Sequence, residues 1–65
     1  MNITVNGEEF TVDERISVAH LLDFLGFPDK GVAVALNWAV LPRSQWDREV
    51  PADARIDVVT AVQGG

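Results

Sequence analysis

The opening stretch of the chain decides its fold. Asn2-Ile-Thr-Val-Asn-Gly-Glu-Glu-Phe-Thr-Val12 places apolar residues at alternate positions on both sides of Asn6-Gly7. A period of two is typical of half-buried strands, and an Asn-Gly pair between two such runs is the strongest short-range signal for a hairpin, because both residues tolerate positive φ. The sequence therefore predicts that two antiparallel strands begin the domain.

A short amphipathic helix is predicted next. Four apolar residues follow the i, i+3, i+4, i+7 spacing of one helix face: Val18, Leu21, Leu22 and Leu25. Ser17 stands before them as a natural N-cap, while Gly26 and then Pro28 end the helix. We therefore expect a helix over residues 18–25 that buries one face.

Three further strands are predicted after the helix, at residues 31–36, 39–41 and 56–62. Asn37-Trp38 turns between the first two, Pro42 opens a helical turn, and residues 50–54 form a polar connection. This order predicts an α+β, ubiquitin-like β-grasp, in which one main helix packs across a mixed sheet and the last strand pairs beside the first. We expect residues 1–62 to form this domain and residues 63–65 to project as a flexible C-terminal diglycine tail.

Composition limits the partners that the chain can have. Its 65 residues include ten acidic and five basic side chains, which gives a net charge of −5. An acidic chain is a poor ligand for nucleic acid or for an anionic membrane, and no apolar run approaches the roughly 18 residues that span a bilayer. The first residues lack the features of a signal peptide. We therefore expect a cytoplasmic protein.

The sequence holds no pattern of residues that would perform catalysis or bind a metal. It contains no cysteine, hence no thiolate ligand or thiol nucleophile. His20, the single imidazole, is expected to be exposed on the helix face opposite the apolar stripe, without the partners of a triad. The carboxylates lack the spacing of an EF-hand, and no glycine-rich phosphate loop occurs. We therefore predict that the chain is not an enzyme and binds no metal or cofactor.

The chain ends in Gly64-Gly65 directly after the last predicted strand. Taken alone the pair is weak evidence, since small residues collect at frayed termini. Glycine, however, lets a partner's walls approach the main chain closely. A carboxylate on such a tail can therefore thread a narrow tunnel into another protein's active site, where adenylation by ATP would prepare it to accept sulfur or an amine.

Three segments resemble the ThiS family, the sulfur carriers of thiamine biosynthesis: Val34-Ala-Leu-Asn37, Leu41-Pro-Arg-Ser-Gln-Trp46 and Asp57-Val-Val-Thr-Ala-Val-Gln-Gly-Gly65. The resemblance covers essentially the whole chain and is more specific than a terminal diglycine. The chain departs from the family pattern in two places. Ala52-Asp53-Ala54 replaces a common Asp-Gly-Asp type of turn, and Trp38 stands where a small or polar residue is more usual.

The resemblance implies that Gly65 is a co-substrate. In this family an E1-like, ThiF-like adenylyltransferase uses ATP and magnesium to adenylate the terminal carboxylate. Sulfur mobilised by a cysteine desulfurase then gives a thiocarboxylate, from which a ThiG-like thiazole synthase takes its sulfur. By this resemblance Gly65 would bear the adenylate and then the sulfur, while Gly64 and Gln63 would thread the partners' active sites.

Outside the tail, we propose as docking candidates Val59, Ala61, Arg43 and Trp38. A sheet that is covered by a helix on one side leaves its other face to solvent or a partner, and Val59 and Ala61 are predicted on that face. Arg43 is either a solvated turn residue or a charge contact. Trp38 either packs locally or contacts a partner, since tryptophan is common at binding hot spots. Trp46 is expected to pack beneath the turn at Pro42.

Three other interpretations stay open. The chain would also fit a carrier of the same fold that serves molybdopterin or cysteine synthesis. From a different class, it would fit a ubiquitin-like modifier joined to lysines, or a plain β-grasp interaction module. A modifier would form isopeptide adducts, whereas a plain module would tolerate the loss of Gly64-Gly65.

Overall fold

The computed structural model describes residues 1–28 and 30–60. In these residues the strands are β1 (Asn2–Val5), β2 (Glu8–Thr11), β3 (Val32–Leu36), β4 (Ala39–Leu41) and β5 (Arg55–Thr60). The helix α1 covers Val18–Phe24, and a single 3₁₀ turn covers Arg43–Gln45. The elements have the predicted order. The helix ends one residue earlier than predicted, and the final strand begins one residue earlier.

The sheet has the mixed topology that the sequence predicts. Its order is β2-β1-β5-β3-β4. Strand β5 is parallel to β1 and antiparallel to β3, and the two hairpins β1-β2 and β3-β4 are antiparallel. The last strand therefore runs through the centre of the sheet beside the first, which confirms the ubiquitin-like β-grasp.

Both hairpins turn through two residues with positive φ. Asn6 and Gly7 have φ of 50° and 84°, and Asn37 and Trp38 have φ of 49° and 73°. Positive φ at both central residues is the signature of a type I′ turn, whose twist matches that of the flanking strands. Asn-Gly is suited to this geometry, whereas a bulky residue such as tryptophan is an outlier there.

The residues predicted to cap the helix lie at its two ends. The Ser17 hydroxyl accepts a hydrogen bond of 3.0 Å from the His20 backbone N–H, which satisfies one of the free donors of the first turn. Gly26 has a φ of 84° and ends the helix, as glycine commonly does. Among the described residues, no helix is long and apolar enough to cross a membrane.

The core lies between α1 and one face of the sheet. Its buried members in the described chain are Ile3, Val5, Val12, Val18, Leu21, Leu22, Val34, Leu36, Leu41, Trp46, Val50, Ala54, Ile56 and Val58. Trp46 is 8% exposed, and its indole N–H donates to the Leu41 carbonyl at 3.2 Å. This confirms that Trp46 packs beneath the turn at Pro42.

The prediction of a merely polar connection over residues 50–54 is wrong at its two ends. Val50 and Ala54 are 3% and 1% exposed. The Val50 N–H donates to the Ile16 carbonyl at 2.8 Å, which holds this segment against the start of α1. The connection therefore closes one end of the core, and only its middle residues are exposed.

Candidate docking face and tail

The face of the sheet opposite α1 carries the candidate docking residues. In β5, Ile56 and Val58 point into the core, with exposures of 0% and 7%, whereas Val59 is 65% exposed. Arg55, Asp57 and Val59 therefore lie on the outer face, because alternate residues of a strand point to opposite sides. The predicted alternation is confirmed for Val59. Ala61 lies outside the described residues.

Four apolar residues form a continuous patch on this face, which we call the open-face patch: Ala33, Ala35, Val40 and Val59. Ala33 is paired with Val59 across β3 and β5, and Ala35 is paired with Val40 across β3 and β4. Val40 is 81% exposed. The sequence analysis missed Val40, although its place next to the apolar Leu41 in a strand could have indicated it.

Trp38 lies at the end of the open face, on the β3-β4 turn. Its side chain is 75% exposed, and the Arg55 guanidinium carbon lies 4.1 Å from the ring centroid. Arg55 Nε in turn contacts Asp57 Oδ2 at 3.2 Å. We call these three residues the Trp38 stack. Trp38 therefore packs locally on Arg55 and still presents most of its surface to solvent.

Two asparagine side chains, which we call the asparagine clamps, form hydrogen bonds with the backbone of β5. The Asn6 side-chain amide accepts from the Val58 N–H at 2.8 Å and donates to the Val58 carbonyl at 3.2 Å. The Asn37 side-chain oxygen accepts from the Arg55 N–H at 2.9 Å. The sequence analysis used both asparagines only as turn residues. The local sequence indicates that asparagine would tolerate positive φ in these turns. It does not indicate that each side chain would bond the backbone of a distant strand.

Arg43 lies at the edge of the open face. Its guanidinium carbon is 5.3 Å from the Trp46 ring centroid, and the residue lines a shallow depression together with Val32, Ala33 and Val59. Arg43 therefore borders the open-face patch, whereas Trp38 lies beyond the patch at the other end of β5.

The remaining polar residues form no catalytic constellation in the described chain. His20 is exposed, as predicted. Within residues 1–28 and 30–60, no group of three or more histidine, aspartate or glutamate side chains could hold a metal ion. The predicted tail residues Gln63, Gly64 and Gly65 lie outside the described residues, and Thr60 is the last residue of β5 that the structure describes.

The class of protein follows from these features. A central last strand, one helix across one face and an apolar opposite face define a ubiquitin-like β-grasp domain, and the sequence adds a C-terminal diglycine. The model of the ThiS family matches residues 2–65. This chain therefore belongs to the ThiS family.

Solved structures agree with this assignment. The crystal structure of the thiamine biosynthesis protein ThiS from Geobacter metallireducens is similar over 100% of both chains, with a TM-score of 0.80 and 36% identity. The solution NMR structure of a thiamine biosynthesis protein from the same organism has a TM-score of 0.79 and 36% identity, over 100% of this chain and 88% of that one.

Two curated relatives both carry the name uncharacterized protein ycf40. The uncharacterized protein ycf40 of Pyropia yezoensis is 36% identical over 66 residues, which cover 100% of this chain and 93% of the relative. The ycf40 protein of Porphyra purpurea is 30% identical over the same span and coverage.

Proposed function

We propose that this chain is a sulfur carrier of thiamine biosynthesis. Its Gly65 carboxylate is adenylated by an E1-like enzyme, becomes a thiocarboxylate and donates sulfur to a thiazole synthase. The observation that carries the proposal is the match to the ThiS family over residues 2–65, which includes the diglycine. The two solved relatives are thiamine biosynthesis proteins, which favours this pathway over molybdopterin or cysteine synthesis.

The proposed chemistry needs only a carboxylate from this chain. A carboxylate oxygen of Gly65 attacks the α-phosphorus of ATP, the α–β phosphoanhydride bond breaks and pyrophosphate leaves. Hydrosulfide then attacks the carbonyl carbon, the bond to AMP breaks, and a thiocarboxylate, AMP and one proton result. Neither step is a redox reaction. ATP and magnesium are bound by the activating enzyme. A cysteine desulfurase supplies the sulfur as a persulfide, and two thiol groups of a reductant release it as hydrosulfide while they are oxidised to a disulfide.

The sheet supports this role by holding β5 in place as far as Thr60. Strand β5 pairs with β1 and β3 on its two sides, and the asparagine clamps add hydrogen bonds at Arg55 and Val58. A reacting group is useful only when its support holds it in a narrow range of positions. A partner that recognises the sheet therefore meets Thr60, the last described residue of β5, in a constant place.

The open-face patch is the proposed docking surface for the activating enzyme. Val59 and Val40 are 65% and 81% exposed, although large aliphatic side chains are usually buried. Val59 also lies next to Thr60, where the described part of β5 ends. The further proposed contacts are Arg43, at the edge of the patch, and Ala61, which the sequence pattern predicts on the same face as Val59.

Charge substitution on the patch tests the docking proposal. Val59→Lys should raise the KM of the carrier in the adenylation reaction by about tenfold or more, because a buried unpaired ammonium group opposes docking. The turnover number should change little, since the reacting carboxylate is untouched. The matched control is His20→Lys, which adds the same charge at an exposed position of α1 that lines neither of the depressions bordered by Arg43. Equal kinetics of the two variants would reject the patch as the docking surface.

Removal of the tail tests the carrier function itself. Deletion of Gly64-Gly65 should abolish ATP-dependent release of pyrophosphate by the activating enzyme, while the urea midpoint of the domain stays unchanged. Pyrophosphate release that survives the deletion would contradict the proposal. A product in which Gly65 is joined to a lysine would instead identify a protein modifier.

A further inference from the structure

Trp38 combines an unfavourable backbone with an exposed side chain. Its φ of 73° lies in the left-handed region, where a bulky residue is strained. Its side chain is 75% exposed, so burial in the core does not offset that strain. The type I′ turn requires positive φ at this position but not a bulky residue, and strained residues are concentrated at functional sites. The position therefore calls for an explanation outside the stability of the monomer.

Arg55 holds the indole ring of Trp38 in one place. Its guanidinium carbon lies 4.1 Å from the ring centroid, and Asp57 contacts Arg55 Nε at 3.2 Å. Asn37 fixes the Arg55 backbone through a hydrogen bond of 2.9 Å. Because Arg55 covers one face of the ring and the side chain is largely exposed, the other face of the indole meets solvent in an ordered orientation.

The Trp38 stack and the open-face patch belong to one surface. Arg55, Asp57 and Val59 alternate along the outer face of β5, and Asp57 is paired with Ala35, the neighbour of Val40. Arg55 and Thr60, the first and last described residues of β5, are five positions apart. At the rise of an extended strand they are separated by about 16 Å. One interface of ordinary size, about 800 Å² on each partner, spans that distance.

We propose that Trp38 is the anchor by which the activating enzyme selects this carrier, and that Arg55 is the positioning residue that presents the ring. The proposal rests on the function proposed above. The enzyme would offer an apolar or aromatic slot to the free face of the indole, since rigid aromatic side chains make strong anchors when a pocket encloses them. We expect the carrier to be selected at the adenylation step, because ATP is consumed there before the carrier meets any acceptor enzyme.

Trp38→Gly separates an anchor from a structural residue, because the two roles predict opposite results. Glycine adopts positive φ without strain, so the thermal midpoint of the variant should be equal to or higher than that of the wild type. The KM of the carrier for adenylation should nevertheless rise about tenfold, as is common for hot-spot residues, with the turnover number unchanged. The matched control is Trp38→Phe, which retains an aromatic ring and should recover most of the wild-type KM.

Arg55 is tested through its dependence on Trp38. Arg55→Ala should raise the same KM, and Arg55→Lys should raise it less, because lysine retains the charge but not the planar stacking group. The double variant Trp38→Gly/Arg55→Ala should be no worse than Trp38→Gly alone, since a positioning residue has no effect once its target is removed. Additive losses would contradict the positioning role.

The outcomes also separate this inference from the proposed function. If the wild-type chain is not adenylated at all, the proposed function fails. If it is adenylated and Trp38→Gly reacts with an unchanged KM, only the anchor is rejected. A lower thermal midpoint with unchanged KM would assign Trp38 to local packing. A defect confined to sulfur transfer to the thiazole synthase would reject the activating enzyme as the partner that Trp38 selects.

Discussion

Asn6 offers a direct test of how the fold holds the strand that leads to the tail. Asn6→Ala removes the side-chain amide that bonds both backbone groups of Val58, at 2.8 Å and 3.2 Å. It also places alanine at a φ of 50°, a region that asparagine tolerates better. Because residue 6 and residue 58 are far apart in the sequence, the substitution weakens a long-range link of the sheet.

The magnitude follows from three contributions. Two lost hydrogen bonds remove about 2 kcal/mol, at about 1 kcal/mol each. The left-handed backbone adds about 1 kcal/mol for alanine. The substitution leaves the N–H and the carbonyl of Val58 without the Asn6 side chain. Both bonds are only part-buried, so water can replace it, and this adds little to the loss of stability. We expect a loss of about 3 kcal/mol in the free energy of unfolding, which in a domain of this size lowers the thermal midpoint by about 20 °C.

Urea unfolding followed by the fluorescence of the buried Trp46 measures this loss. Asn6→Gly is the matched variant, since it keeps the positive φ and loses only the amide, so its loss should be smaller than that of Asn6→Ala. Asn6→Asp keeps an acceptor for the Val58 N–H and should fall between the wild type and Asn6→Gly. A loss below about 0.5 kcal/mol for Asn6→Ala, the range of ordinary surface substitutions, would refute the clamp.

Two further predictions concern the helix and the central strand. Ser17→Ala should lower the free energy of unfolding by about 1 kcal/mol because it removes the N-cap acceptor. Ser44→Ala, at an exposed position of the 3₁₀ turn, should stay within about 0.5 kcal/mol of the wild type. The urea midpoints of the two variants check this difference. Ile56→Val should cost about 1 kcal/mol at a position that is 0% exposed. Val59→Thr, on the outer face of the same strand, should change stability by less than about 0.5 kcal/mol, and equal losses for these two variants would contradict the assigned faces of β5.

Local sequence patterns were sufficient to predict most of the fold. The Asn6-Gly7 hairpin, the helix start at Ser17 and the helix end at Gly26 each depend on a few neighbouring residues with known conformational preferences. The β-β-α-β-β-turn-β order then left a small choice of topologies, so the central position of β5 could be inferred correctly.

The features that the sequence did not reveal all depend on distant contacts. Val50 is buried because its backbone bonds Ile16, and Asn6 acts as a clamp because β5 lies beside β1. The stacking of Trp38 on Arg55 likewise joins the β3-β4 turn to the first residue of β5, 17 residues further along the chain. No local pattern encodes these partners. The candidate site divides in the same way. Strand alternation indicates the outward position of Val59, whereas the contact of Val40 with Ala35 depends on the sheet register.

The central claim is that Gly65 carries sulfur as a thiocarboxylate, and intact-protein mass spectrometry tests it most directly. The full chain is incubated with its activating enzyme, ATP, magnesium and sulfide, beside a variant that lacks Gly65. The account predicts that the mass of the full chain increases by the replacement of one oxygen by sulfur, and that the shortened chain is unchanged. An unmodified full chain in the presence of an enzyme that is demonstrably active on another carrier would contradict the account.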